Sequence, residues 1–370
     1  MSKRQEAPMR VLHVLQRMEA GGTQTMLMNV YRKIDRSKLQ FDFLVEYDEK
    51  QFYDEEIEAL GGKVYRTNLR KDANVPRFMK VLRRLIRENH YPVVHAHTYS
   101  IGYFVLKVAE KEGVVVRIAH SHNNKMGGTA VPLKIIMRAL FPIHATHFMA
   151  CSQEAGEFLF GNRNFIVVKN AIDVARFSYS EKVRKSVRCE LGFGDSFVIG
   201  NVGRLHHQKN QSFLLDVFAE VAKMRPNARL LMVGDGPLKA ELLTKAERVG
   251  VSERLTLLSN RTDMDRLYQA MDVFVLPSLY EGLGIVAIEA QSSGLPTICS
   301  DGVAEDANVS LLFSRCSLKA PPTEWAEAIV NSDGQRNPVE GTSGVKAHGF
   351  DVSDNAVHLQ AWYLREALIA

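Results

Sequence analysis

Apolar residues recur along this chain in two rhythms: short unbroken runs, and longer stretches in which they return every three or four positions. The first rhythm predicts buried strands and the second amphipathic helices. A strand over Met9 to Leu15 comes first, followed by a loop from Gln16 to Gly22 and a helix opening at Thr23. Strands are then predicted at Phe41 to Tyr47, Lys63 to Arg66, Pro92 to Ala96, Val114 to Ala119, His147 to Cys151 and Ile166 to Lys169. Helices are predicted between them at Phe52 to Leu60, Val75 to Asn89, Ile101 to Lys111 and Val131 to Leu140. The polar stretch Ser178 to Lys185 reads as a hinge. A second series follows, with strands at Phe197 to Val202, Ala228 to Val233, Leu255 to Leu258, Asp272 to Leu276 and Thr297 to Ser300. Its helices fall near Ser212 to Lys223, Leu238 to Val249, Asp263 to Met271 and Ile285 to Ser293. Beyond Lys319 the pattern weakens to a helix over Thr323 to Ile329, a turn-rich stretch from Asn331 to Gly349 and a final helix from Asn355 to Ala370.

Strands alternating with helices predict an α/β protein with doubly wound, mostly parallel sheets that bind ligands outside the carboxyl ends of their strands. The 370 residues suit two domains rather than one core. The expected division is 1–177 and 178–352, two Rossmann-like domains facing a cleft.

Composition adds little to the fold and more to the setting. Hydrophobic residues make up 46% and charged residues 24%, as in a folded soluble protein. Four cysteines without C-x-x-C spacing fit a reduced, cytoplasmic compartment. Met1 to Arg10 is polar, and no apolar run approaches the roughly 18 residues of a membrane helix, so neither export nor a membrane span is expected. The net charge of +5 is uneven: residues 1–177 hold 27 Lys/Arg against 18 Asp/Glu, and the remainder 20 against 24. Part of the excess lies on Arg77 to Arg87, where Phe78, Val81, Leu82 and Leu85 make an apolar stripe beside a cationic face. That face reads first as a solvated side of a core helix and second as peripheral contact with an anionic membrane. No aromatic-plus-basic platform for nucleic acid is present.

The candidate chemistry gathers at the ends of strands. After the strand that closes at Leu276, the turn Glu281-Gly282-Leu283-Gly284 leads into a helix at Ile285, a junction that directs unpaired N–H groups and the positive end of the helix dipole at one spot. Glu281 and Glu289 flank it, and a carboxylate accepts hydrogen bonds from vicinal hydroxyls. Gly203-Arg204 and Lys209-Asn210 follow the first strand of the second series, where two cations would neutralise a diphosphate. Gly234-Asp235-Gly236 reads as a structural turn. Gly21-Gly22 is either a plain turn or a close backbone approach to a ligand. Histidines pair at 95/97, 120/122, 144/147 and 206/207, but no third Cys or acidic ligand stands at metal spacing, so no metal is expected. His122, followed by Asn123 and the loop at Gly127-Gly128, is expected to hydrogen-bond substrate.

With Gly203-Arg204, Lys209-Asn210 and the Glu281 to Glu289 element quoted, the chain resembles the retaining glycosyltransferases of family 4, with the GT-B fold, over nearly its whole length. It looks closest to polysaccharide-assembly members, on Ala270 to Ser278, Glu289-Ala290-Gln291 and Gly294-Leu295-Pro296. The resemblance implies a nucleotide-sugar donor, a UDP-sugar by preference, on the second domain. Arg204, Lys209 and the amides of Gly282, Leu283, Gly284 and Ile285 would take its diphosphate, Glu289 the ribose and Glu281 the sugar. Gly21, Gly22 and His122 would line the acceptor side, and the last helix, 353–370, would cross back to the first domain. It implies metal-independent transfer, with no cofactor, to a carbohydrate or lipid-linked acceptor in cell-surface polysaccharide synthesis. An epimerase of the same fold and a non-catalytic sugar-nucleotide sensor are the alternatives.

Overall fold

The computed structural model describes residues 7–19, 21–122, 131–259 and 261–369. The chain packs as two units, the first running to Ala171 and resuming at Val352, the second spanning Ile172–Asp351. Strands of the first unit are β1 (Met9–Leu15), β2 (Leu39–Val45), β3 (Lys63–Arg66), β4 (Val93–Ala96), β5 (Val116–Ser121), β6 (His147–Ala150) and β7 (Ile166–Val167). They form one parallel sheet in the order β3-β2-β1-β4-β5-β6-β7. The second unit contributes β8 (Phe197–Val202), β9 (Ala228–Val233), β10 (Leu255–Leu258), β11 (Val273–Leu276), β12 (Thr297–Ser300) and β13 (Phe313–Cys316). Their order, β10-β9-β8-β11-β12-β13, repeats the scheme.

Parallel strands covered by helices on both faces are buried throughout, which is why they read as unbroken apolar runs. All seven residues of β2 are buried, including Asp42, whose carboxylate accepts from Arg10 Nε at 2.7 Å and the Tyr91 hydroxyl at 2.6 Å. In each sheet the strand order reverses once, between β1 and β4 and between β8 and β11. The loops leaving the carboxyl ends of such a pair diverge and open a crevice, the usual ligand position of this architecture.

The final helix, Val352–Ile369, belongs to the first unit, burying Val352, Ala356, Leu359 and Tyr363 in its core. The Val75–Asn89 helix also turns its apolar side inward through Phe78, Leu82, Leu85 and Ile86. Its arginines are engaged locally: Arg77 with Asp72, Arg83 and Arg87 with Glu112, Arg84 with Glu88. Among the described residues no helix is long and apolar enough to cross a membrane.

Two expectations are corrected. The stretch Ser178 to Lys185 is not a hinge: Ser180 caps a helix over Glu181–Glu190, which sends Arg184 and Arg188 onto Asp272 at 2.6 and 3.2 Å. Glu181, Lys182 and Lys185 form the exposed face of this helix, while Arg184 turns inward onto Asp272. The chain instead enters the second unit at Ile172, and Ile172, Val174 and Phe177 sit in that unit's core. The stretch Asn331 to Gly349, read as turn-rich, contains the helix Pro338–Ala347, capped by the Asn337 side chain. Gly341 and Gly344 disguise it, since glycine is a poor helix former. Gly341 is there for close packing: a Cβ would lie 1.8 Å from the Gln291 carbonyl oxygen on the neighbouring Ile285–Ser292 helix.

Gly341→Leu should therefore destabilise the protein by about 1–3 kcal/mol through overpacking. Chemical denaturation measures this, and an unchanged midpoint would contradict the close helix contact.

Candidate functional site

In the second unit the loops after β8 and β11 are stapled together. Leu279 N donates to the Gln208 carbonyl at 2.8 Å, and Gln208 Nε2 donates to the Tyr280 carbonyl at 2.8 Å. Between them, Lys209 Nζ meets Glu281 Oε1 at 2.5 Å, with the two side chains only 17% and 8% exposed. At that burial the pair is weakly screened and neither charge is left without a partner. Ser278 Oγ donates to the same carboxylate oxygen at 2.6 Å. The loop after β12 is tied in as well, since Glu281 N donates to the Gly302 carbonyl and Arg315 holds the carbonyls of Ser300 and Val303.

Gly284 stands before the Ile285–Ser292 helix in the left-handed conformation, φ 74°, which only glycine adopts without strain. The N–H groups of Gly282, Leu283 and Gly284 are without an acceptor among the described residues, next to those of Ile285 and Val286, while Ala287 N donates to the Gly284 carbonyl. Leu283 and Ile285 meanwhile pack their side chains against the core. Arg204 is exposed and has no side-chain partner among the described residues. Gly234 is structural, as expected: a Cβ there would lie 2.0 Å from the Gly203 carbonyl oxygen, so the turn backs the loop carrying Arg204.

Glu289 lies deeper, on the helix, and accepts from the Tyr268 hydroxyl at 2.8 Å. Burial pushes its pKa up to about 7, against the opposing pull of the Tyr268 hydrogen bond and of Arg176. Near neutrality this carboxyl is therefore half ionised.

In the first unit the crevice end of the sheet carries imidazoles. His13 on β1 stands beside His95 on β4, and His97 and His122 follow the ends of β4 and β5, with His120 at the end of β5 itself. The pairs 95/97 and 120/122 are thus parts of one cluster completed by His13, while 144/147 and 206/207 lie elsewhere. His13, His95 and His97 form one group of approaching nitrogens and His97, His120 and His122 another. Neighbouring rings stack, with interplanar angles of 21° for 95/97 and 24° for 120/122. Burial lowers the pKa of all five, to about 3 for His13 and His122. They are neutral at pH 7. Gly21 precedes and Gly22 opens the Gly22–Lys33 helix, near Asn170. Asn123 and Gly127-Gly128 lie outside the described residues.

Sequence reasoning missed Ser278, Tyr268, Arg315 and His13 as partners. Tyr268, Arg315 and His13 act on residues 12 or more positions away in the chain, and Ser278 reaches Glu281 three residues on without a pattern that marks the contact.

A repeated 3-2-1-4-5-6 strand order, with polar loops at each reversal, gives two Rossmann-like units, as in the GT-B fold. Residues 20–176 match the family model for Glycosyltransferase Family 4, and residues 184–310 that for Glycosyl transferases group 1. The chain belongs to this glycosyltransferase family and is an enzyme of that class. It is 38% identical to EpsF of Bacillus subtilis over 342 residues, covering 89% of each chain. It is 30% identical over 237 residues to the UDP-Gal:alpha-D-GlcNAc-diphosphoundecaprenol alpha-1,3-galactosyltransferase of Escherichia coli, covering 60% of each. In fold it resembles HepE of Anabaena in complex with UDP, with a TM-score of 0.76 at 19% identity over 96% of this chain and 100% of that one.

Tyr268→Phe removes a hydrogen bond that favours the Glu289 carboxylate. The Glu289 pKa should rise above 7, read from carboxyl carbon shifts in an NMR titration. A fall would contradict the assigned balance.

Proposed function

We propose that this enzyme transfers a sugar from a nucleotide-sugar, by preference a UDP-sugar, to a carbohydrate or lipid-linked acceptor in cell-surface polysaccharide synthesis, with retention and without a metal. The observation that carries the reading is the Lys209–Glu281 pair set beside the open amides of residues 282–284 at the β8/β11 reversal. A diphosphate suits this place. Lys209 and Arg204 would neutralise it, the 282–285 amides would donate to its oxygens, and Glu289 would accept from the ribose hydroxyls. Glu281, held by Lys209 and Ser278, would meet the transferred sugar and stabilise positive charge growing at its anomeric carbon. His122 and the Gly21-Gly22 turn would serve the acceptor. The departing phosphate would take the acceptor's proton.

The relatives' names support the setting: the galactosyltransferase named above carries UDP-Gal and a diphosphoundecaprenol acceptor in its name, and HepE was solved with UDP. Contact with an anionic membrane at the cytoplasmic face accords with the basic first half of the chain. A stretch of ion-paired arginines is a weaker membrane anchor than a free one, so Lys80 is the cation on the Val75–Asn89 helix best placed for it.

Nucleotide release measured over a panel of nucleotide-sugars and acceptors tests the reading, and no release with any mixture would sink it. Lys209→Ala should weaken nucleoside-diphosphate binding by about 1.5–3 kcal/mol, the range for a hydrogen bond to a charged group; an unchanged Kd by calorimetry would refute the role. The same binding should weaken as pH falls through about 7, where Glu289 takes up its proton, and Glu289→Gln should flatten that dependence. Transfer should survive EDTA; loss of activity rescued by a divalent ion would overturn metal independence.

A further inference from the structure

The five imidazoles of the first unit fall into two hydrogen-bonded chains, and one of them ends on His122. His13 Nδ1 lies 3.0 Å from His97 Nε2, and His97 Nδ1 lies 2.9 Å from His122 Nε2. The other runs from the Tyr363 hydroxyl to His95 Nδ1 at 2.6 Å and from His95 Nε2 to His120 Nδ1 at 3.0 Å. Between chains the rings meet by their faces.

Each N···N contact needs one N–H and one lone pair, and a neutral imidazole has one of each, on opposite nitrogens. The His13–His97–His122 chain therefore makes both of its bonds in two arrangements. In one, all three rings carry the proton on Nδ1 and His122 presents an N–H at its outer nitrogen. In the other, all three carry it on Nε2 and His122 presents a lone pair. Passing from one to the other requires a proton to enter at one outer nitrogen as another leaves at the far one. Those outer atoms, His13 Nε2 and His122 Nδ1, are buried and have no partner among the described residues. His13 is further enclosed by Phe41 and Phe43, at 4.4 and 5.5 Å between ring centroids. The far end of the chain is shut by these aromatic rings, and the need of His122 Nδ1, at the carboxyl end of β5, is unmet among the described residues.

We propose that His13 and His97 are positioning residues that fix the tautomer of His122, so that its Nδ1 presents one constant hydrogen-bonding character to the hydroxyl of the acceptor. This rests on the acceptor-side reading of His122 given above. Burial keeps the rings neutral, so the selection is between tautomers and not between charge states.

Imidazole 15N NMR of the full-length protein at pH 7 tests this without requiring turnover. His13, His97 and His122 should show one and the same tautomer, with no imidazolium; mixed tautomers would overturn the proposal. In His13→Phe the tautomer of His122 should become mixed and kcat should fall about tenfold or more, with the donor KM unchanged. In His13→Asn, whose amide occupies the place of Nδ1, the single tautomer and most of kcat should return. Equal losses in both variants, or an equal shift of His122 in Tyr363→Phe, which breaks the other chain, would reduce His13 to a packing residue. Should His13→Phe fail to fold, the wild-type and His13→Asn spectra decide alone. Absence of transfer by the wild-type enzyme with every donor would count against the parent reading and leave the tautomer result standing.

Discussion

The ion pair of Lys209 with Glu281 is the contact on which the second unit's site depends. A carboxylate with 8% of its side chain exposed is strongly disfavoured unless a cation and further donors meet it, and Lys209 and Ser278 do so. The partners come from loops after β8 and β11, 72 residues apart in the chain, so satisfying the charge also closes those loops on each other. Once they are closed, the left-handed bend at Gly284 determines where the 282–284 amides are aimed. Binding geometry is therefore a consequence of charge compensation, made possible by a strand order that brings β8 beside β11.

Two glutamates eight residues apart on one stretch acquire different chemistry from that arrangement. Glu281 faces an ammonium and a hydroxyl. Glu289 faces a phenol, with Arg176 acting at longer range, and burial carries its pKa to about 7. Side chains of one type are thereby sorted by environment, the pattern by which active sites separate the roles of paired carboxylates, and it accords with the different roles proposed for them.

Most of the fold was legible in the sequence because buried parallel strands announce themselves as apolar runs. Phe197–Val202 and Ala228–Val233 begin and end where the pattern places them, and so do the half-buried Leu255–Leu258 and the edge strand Lys63–Arg66, whose outer residues are exposed. What escaped was whatever owes its character to a neighbour. The Pro338–Ala347 helix is glycine-bearing because it presses on Gln291, and the Glu181–Glu190 helix is polar because its arginines serve Asp272. The site shows the same division. Lys209 and Glu281 could be singled out by position after strands, but their mutual pairing could not, and neither could Tyr268 beneath Glu289. The histidine pairs showed that each strand places two rings on one face, whereas His13 joins them through a strand more than 80 residues earlier in the chain than His97 and His95.

One sheet order, used twice, serves opposite electrostatics. At the reversal in the second unit, cations and carboxylates are buried together and compensate each other. At the reversal in the first unit no carboxylate approaches the imidazoles closely enough to bond any of them among the described residues, so burial strips their charge and leaves N–H groups and lone pairs. The difference matches the ligands proposed for each: a diphosphate demands fixed positive groups, while a sugar hydroxyl is better held by neutral donors and acceptors. It also bears on the proton released when that hydroxyl attacks. An imidazole whose pKa lies near 3 keeps its one N–H and does not take up a second proton at neutral pH. The departing phosphate, which gains negative charge as the sugar leaves, is the stronger base in the proposed reaction, and the direction of proton movement follows from the burial of the histidines.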